Sequence, residues 1–133
     1  MKIDSKLPNL ETTIFAVMSA MANTYNAINL SQGYPNFKSD QKLMDLVHEA
    51  MLSGYNQYAA MQGTMELRKA ISNKFEKLYN SSYNPENEIT VTAGATQAIY
   101  TAITAIIKQG DEVIVFRPAY DCYVPTIELN GGD

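Results

Sequence analysis

The sequence has one cysteine, Cys122, and one histidine, His48. No disulfide can close within the chain, and a Cys/His metal centre lacks its ligands. Arginine is nearly as scarce: Arg68 and Arg117 are the only two. With a net charge of −4 and no basic cluster, neither nucleic acid nor an anionic membrane is an expected partner. There is no G-x-G-x-x-G, which disfavours a Rossmann dinucleotide site. Apolar runs are short and the N-terminus is no signal peptide, so a cytoplasmic protein without a membrane span is expected. What is present is an apolar fraction of 46% in 133 residues, enough for one small folded domain rather than a disordered chain.

The most informative stretch runs from Ile89 to Tyr123. Ile89-Thr90-Val91-Thr92 is a β-branched run suited to a buried strand. Ala93-Gly94-Ala95-Thr96 supplies a turn. Ala95, Ala98, Ile99, Ala102, Ile103 and Ile106 recur at helical spacing up to Gly110-Asp111. Val113-Ile114-Val115-Phe116 reads as a second strand, followed by a loop of clustered aromatics. Two apolar strands joined by a helix predict a right-handed parallel crossover. The turn would aim the N–H groups of Gly94, Ala95 and Thr96 outward from a helix N-terminus, with the Thr96 hydroxyl beside them. That arrangement fits an anion, most naturally a phosphate. On spacing alone, a plain strand-to-helix turn in which Thr96 caps a backbone group fits at least as well.

Before this unit, residues 1–11 read as an irregular arm. A helix is predicted over about 12–25, capped by Thr12, with Ile14, Met18, Met21, Ala22 and Tyr25 as its apolar stripe. A second is predicted over about 40–53, capped by Ser39 and ended by Gly54. A third is predicted over about 65–79, capped by Thr64, with Leu67, Ile71, Phe75 and Leu78 inward. The loop Tyr55 to Gly63 is rich in tyrosine and amides. Four helices with two late strands predict an α/β domain preceded by a helical arm. The closing Asn130-Gly131-Gly132-Asp133 is a turn signal that should lead into another strand. The sequence therefore reads as the start of a larger domain. His48 reads as a solvated helix residue. Cys122 reads as a small, partly buried residue, and the methionines as packing residues.

Several pieces, in order and in register, resemble the N-terminal part of a class I, fold-type I aminotransferase, closest to the kynurenine/methionine type. They are Gln32-Gly33-Tyr34-Pro35, Asn56-Gln57-Tyr58, Gly63 with Leu67-Arg68, Val91 to Ala98, Gly110-Asp111-Glu112-Val113 and Pro118 to Tyr123. The resemblance implies the three-layer, aspartate aminotransferase-like large domain of an enzyme dependent on pyridoxal 5′-phosphate (PLP). Residues 1–30 would be an arm and helix of the small domain. Residues 31–133 would be the first part of the PLP-binding domain. By resemblance Gly94, Ala95 and Thr96 hold the cofactor phosphate, and Tyr120 stacks on its ring. Tyr58 reaches the phosphate of the neighbouring subunit in a homodimer. Gly33 and Tyr34 line the substrate pocket. The substrates implied are an amino acid, methionine or aromatic favoured, and a 2-oxo acid.

The family's Schiff-base lysine, its acid for the pyridine nitrogen and its carboxylate-gripping arginine all lie beyond the matched region. None of the eight lysines stands in the Schiff-base context, so no catalytic residue is assigned and the 133-residue chain alone is expected to be inactive. Two other functions fit the sequence: a non-catalytic module that binds a partner subunit, and a carbon–sulfur lyase on the same fold.

Overall fold

The computed structural model describes residues 4–33 and 35–133. Five helices are present among them: α1 (Ile14–Thr24), α2 (Gln41–Leu52), α3 (Met65–Tyr79), α4 (Ala95–Ile106) and α5 (Tyr123–Leu129). They fall into two compact units, one of residues 1–36 with 96–133, the other of residues 37–95.

Helix ends follow the local chemistry. Thr64 caps α3 as expected, its Oγ1 accepting the Leu67 N–H at 3.5 Å. Asn80, at φ 51°, closes that helix in the left-handed conformation that Asn tolerates. The other two caps sit one residue later than predicted. Thr13 accepts the Ala16 N–H, and Asp40 accepts the Lys42 N–H at 2.8 Å. Thr12-Thr13 and Ser39-Asp40 are each a pair of competent caps, so sequence alone does not choose between them. Gly54 follows α2 at φ +86°.

In the unit of residues 37–95, the buried residues described are polar: Arg68 and Ser72, four apart on α3. Ser72 Oγ donates to the Tyr83 carbonyl at 2.6 Å. Arg68 Nε donates to the Gly63 carbonyl at 3.1 Å. One Arg68 Nη1 reaches the Pro85 and Glu86 carbonyls, at 2.7 and 3.2 Å. Around them Phe75 packs on Tyr79 and edge-on against Tyr83, with ring centroids 5.3 and 5.6 Å away.

In the other unit, α5 begins at Tyr123, where the predicted aromatic loop ends, in a stretch for which the sequence predicted no element. Pro125 sits in its first turn, where a missing N–H costs nothing. Asn130 Nδ2 ties the end of α5 to Thr104 Oγ1 of α4 at 3.2 Å. Gly132 then passes where no side chain fits, since a Cβ would stand 2.8 Å from Ile127 and 2.9 Å from Ile107. On α1 the half-buried residues are Phe15, Ser19 and Ala22, and of the predicted stripe Ala22 alone is among them. Of that stripe, Ile14 is 63% and Tyr25 76% exposed.

The two expected strands, and the crossover between them, do not form among the described residues. A strand is defined by its neighbours, and each segment has a single backbone partner. Val91 N–H donates to the Gln62 carbonyl at 2.9 Å. Asp133 N–H donates to the Asp111 carbonyl and the Asp133 carbonyl accepts from Val113 N–H, both at 2.8 Å. That last exchange is one rung of a parallel ladder, entered through the predicted Asn130–Gly132 turn. Residues 113–116 also alternate: Val113 and Val115 are half-buried, Ile114 and Phe116 nearly 90% exposed.

Burial is sparse. Ile127 is the one buried hydrophobic residue described. The chain exposes 11954 Å², whereas a folded monomer of this mass exposes about 7,000 Å².

Candidate functional site

The turn before α4 is set by Thr92 and Gly94. Gly94 N–H donates to the Thr92 carbonyl at 2.9 Å, and Thr92 Oγ1 donates to the Gly94 carbonyl at 3.0 Å. Gly94 has φ +87° with open space where a Cβ would point, so its backbone conformation rather than crowding requires glycine. One expectation is corrected here. The Gly94 amide is already spent inside the turn, because the chain doubles back over Ala93. The amides of Ala95 and Thr96, in the first turn of α4, have no intrahelical acceptor and carry the positive end of the helix dipole.

Two of the predicted residues come together directly: Thr96 Oγ1 and Tyr120 OH lie 3.4 Å apart. Tyr120 follows the cis peptide bond Arg117–Pro118 and packs edge-on against Tyr123, ring centroids 6.0 Å apart. It is 46% exposed and helps to line a cavity of about 190 Å³ with Arg117, Pro118, Ala119, Asp121 and Val124. The first turn of α4 and this aromatic loop thus present two amides, two hydroxyls and a half-open aromatic ring. Such a group of donors beside a flat apolar surface suits a phosphorylated aromatic ligand.

Tyr58 projects fully into solvent from its loop. Gly33 is exposed, with nothing within 4 Å of the place a Cβ would occupy. Tyr34 lies outside the described residues. All the described lysines are exposed, as is His48. Cys122 is half-buried, and its thiol is pushed above its ordinary value of 9.0, first by burial and then by the Asp121 carboxylate. It is a poor nucleophile at neutral pH. No group of three acidic, His or Cys residues able to hold a metal occurs among the described residues. No helix there is long and apolar enough to cross a membrane.

The buried grip of Arg68 and Ser72 was not read as structure from the sequence. The signal was a charged and a hydroxyl residue four apart, flanking the apolar stripe of α3 just after Gly63-Thr64.

The sequence profile of the family described as Aminotransferase class I and II matches residues 25–133, and the chain belongs to that family. Among its curated relatives, the chain is 52% identical over 128 residues to methionine aminotransferase of Escherichia coli strain K12. That alignment takes in 96% of the chain and 33% of the relative. The chain is 35% identical to kynurenine–oxoglutarate transaminase of Dictyostelium discoideum, over 90% of the chain and 28% of the relative. The crystal structure of the E. coli methionine aminotransferase superposes with a TM-score of 0.93 at 51% identity, over 99% of the chain and 35% of that structure. A single mutant of aspartate aminotransferase of Thermus thermophilus superposes at 0.84 with 28% identity, over 100% of the chain and 36% of that structure. The fold is therefore the aspartate aminotransferase-like one, and the chain spans about a third of the length of these relatives. The family generally depends on PLP.

Proposed function

We propose that this chain supplies the phosphate- and ring-binding part of a PLP-dependent aminotransferase. The enzyme passes an amino group from an amino acid, methionine or an aromatic one favoured, to a 2-oxo acid. The observation that carries this reading is the Thr96–Tyr120 hydroxyl pair at the opening of α4, 3.4 Å apart, in a chain of this family. The preference for methionine is supported by the name of the E. coli relative.

PLP, when bound, supplies an electron-withdrawing ring that makes the amino acid's Cα proton acidic. The chain's own residues bind and orient. Ala95 and Thr96 amides and the Thr96 hydroxyl hold the phosphate. The Gly94 turn gives the backbone a close approach to it, and Tyr120 covers one face of the ring and excludes water there. Tyr58 serves the partner subunit's cofactor in a cytoplasmic homodimer, and Gly33 and Tyr34 border the substrate. Residues 1–30 belong to a small-domain arm, and 31–133 to the large domain. Proton transfer at Cα needs a lysine outside these 133 residues.

The test uses the full-length protein. PLP should give a bound-cofactor absorbance band, and methionine with a 2-oxo acid should give the new amino acid in equal amount. Absence of a band refutes the cofactor assignment. Release of a thiol instead of amino transfer would make the protein a carbon–sulfur lyase.

A further inference from the structure

The grip of Arg68 has a use beyond holding α3. Its side chain is only 7% exposed, yet its three described acceptors are all backbone carbonyls, those of Gly63, Pro85 and Glu86. These carbonyls belong to two segments that the cofactor reading makes functional. Gly63 ends the loop that carries Tyr58. Pro85 and Glu86 begin the stretch that delivers Gly94 and Ala95. The two segments touch where Arg68 pulls them together. Val91 N–H donates to the Gln62 carbonyl at 2.9 Å. Gly63, at φ +96°, lies so close that a Cβ would stand 2.7 Å from Val91 Cγ2. Three residues after Val91 comes Gly94.

We propose that Arg68 is a positioning residue for the phosphate of the cofactor. It fixes the register between the Tyr58 loop and the segment ending in the Gly94 turn, so that both are set by one side chain. This rests on the PLP reading above. A guanidinium suits the task because Nε and Nη1 point to different carbonyls from a rigid plane. A lysine keeps the charge but has one nitrogen, and cannot hold Gly63 and Pro85 in that geometry. Ser72, one turn along α3, donates to the Tyr83 carbonyl rather than to Gly63, Pro85 or Glu86, which makes it the internal control.

The experiment compares binding of PLP with binding of pyridoxal, which lacks the phosphate, in the full-length protein and its variants. Arg68→Lys should weaken PLP about tenfold, or about 1.4 kcal/mol, while pyridoxal changes less than about twofold. Ser72→Ala should lower the melting temperature and leave the PLP-to-pyridoxal ratio as in the unchanged protein. An Arg68→Lys ratio that stays at the unchanged value overturns the proposal, as does a Ser72→Ala ratio that falls equally. Hydrogen exchange in the unchanged protein supplies an independent test, should Arg68→Lys fail to fold. PLP, but not pyridoxal, should increase protection of residues 58–63 and 85–94 together, and protection of one segment without the other overturns the coupling. If the unchanged protein binds no PLP, the cofactor reading itself fails, an outcome distinct from either of these.

Discussion

At the scale of single residues, Tyr120 and Cys122 stand two apart in one loop and behave oppositely. Tyr120 offers a half-open ring and a hydroxyl 3.4 Å from Thr96 Oγ1. Replacing it by alanine in the full-length protein removes both. An aromatic stack contributes about 0.5–1.5 kcal/mol beyond the area it covers, so Tyr120→Ala should weaken PLP up to about tenfold. Tyr120→Phe, which keeps the ring, should recover most of that loss. Equal losses in the two variants would assign the effect to the hydroxyl rather than the ring. Cys122 makes a different prediction, because its thiol is raised above 9.0 by burial and by Asp121. A raised value means that the folded state favours the neutral thiol. Its contribution to stability is therefore complete below the ordinary value and is lost as pH rises through the folded one. Alkylation by iodoacetamide, followed from pH 7 to 10, should run slower than for a free cysteine throughout and reach half its plateau at a higher pH. A half-plateau below 9.0 would refute the direction of the shift.

At the scale of elements, the legible features were those that local chemistry decides. Thr64 capping α3 and Gly54 ending α2 could be read because a side chain meets its own backbone within a few residues. The α4 start at Ala95 was legible from the apolar residues that recur at helical spacing from there. The strands at 89–92 and 113–116 could be read as extended but not as strands, since pairing depends on backbone elsewhere. Helix α5 was hidden because Tyr123-Val124-Pro125 has a proline and two strand-favouring residues, and only Pro125's place in the first turn reconciles it with a helix. The phosphate turn was legible as a position and misjudged by one amide, since the Thr92–Gly94 hydrogen bond is a matter of geometry rather than composition. Two glycines now separate by mechanism. Gly94→Ala should cost about 1–2 kcal/mol, from the left-handed backbone alone, because space for the methyl is open. Gly63→Ala carries the same strain plus overpacking against Val91, itself about 1–3 kcal/mol, and should lower the melting temperature of the full-length protein about twice as far. Equal shifts would show that Val91 yields freely.

At the scale of the whole molecule, the decisive quantity is uncovered surface. The described hydrophobic residues include one that is buried, Ile127, while Leu30, Ile114 and Phe116 are each nearly 90% exposed. The chain's 11954 Å² exceeds that of a folded monomer of its mass by about 5,000 Å². A partner subunit of ordinary interface size covers about 800 Å² on each side, so dimerisation of this chain alone leaves most of the excess in water. At about 25 cal/mol per Å² of apolar area, that exposure forfeits the main term that opposes chain entropy. Local hydrogen bonds such as those of Arg68 and Asn130 contribute only about 0.5–1.5 kcal/mol each and do not replace it. The 133-residue polypeptide, made by itself, should therefore show helical circular dichroism without a cooperative thermal transition. It should bind a hydrophobic dye, elute as associated species in size exclusion, and transaminate nothing. A compact monomer with a single sharp transition would show that these faces find cover within the chain. Measurable turnover by the isolated 133 residues would show that one of its exposed lysines does the work assigned to a lysine outside it.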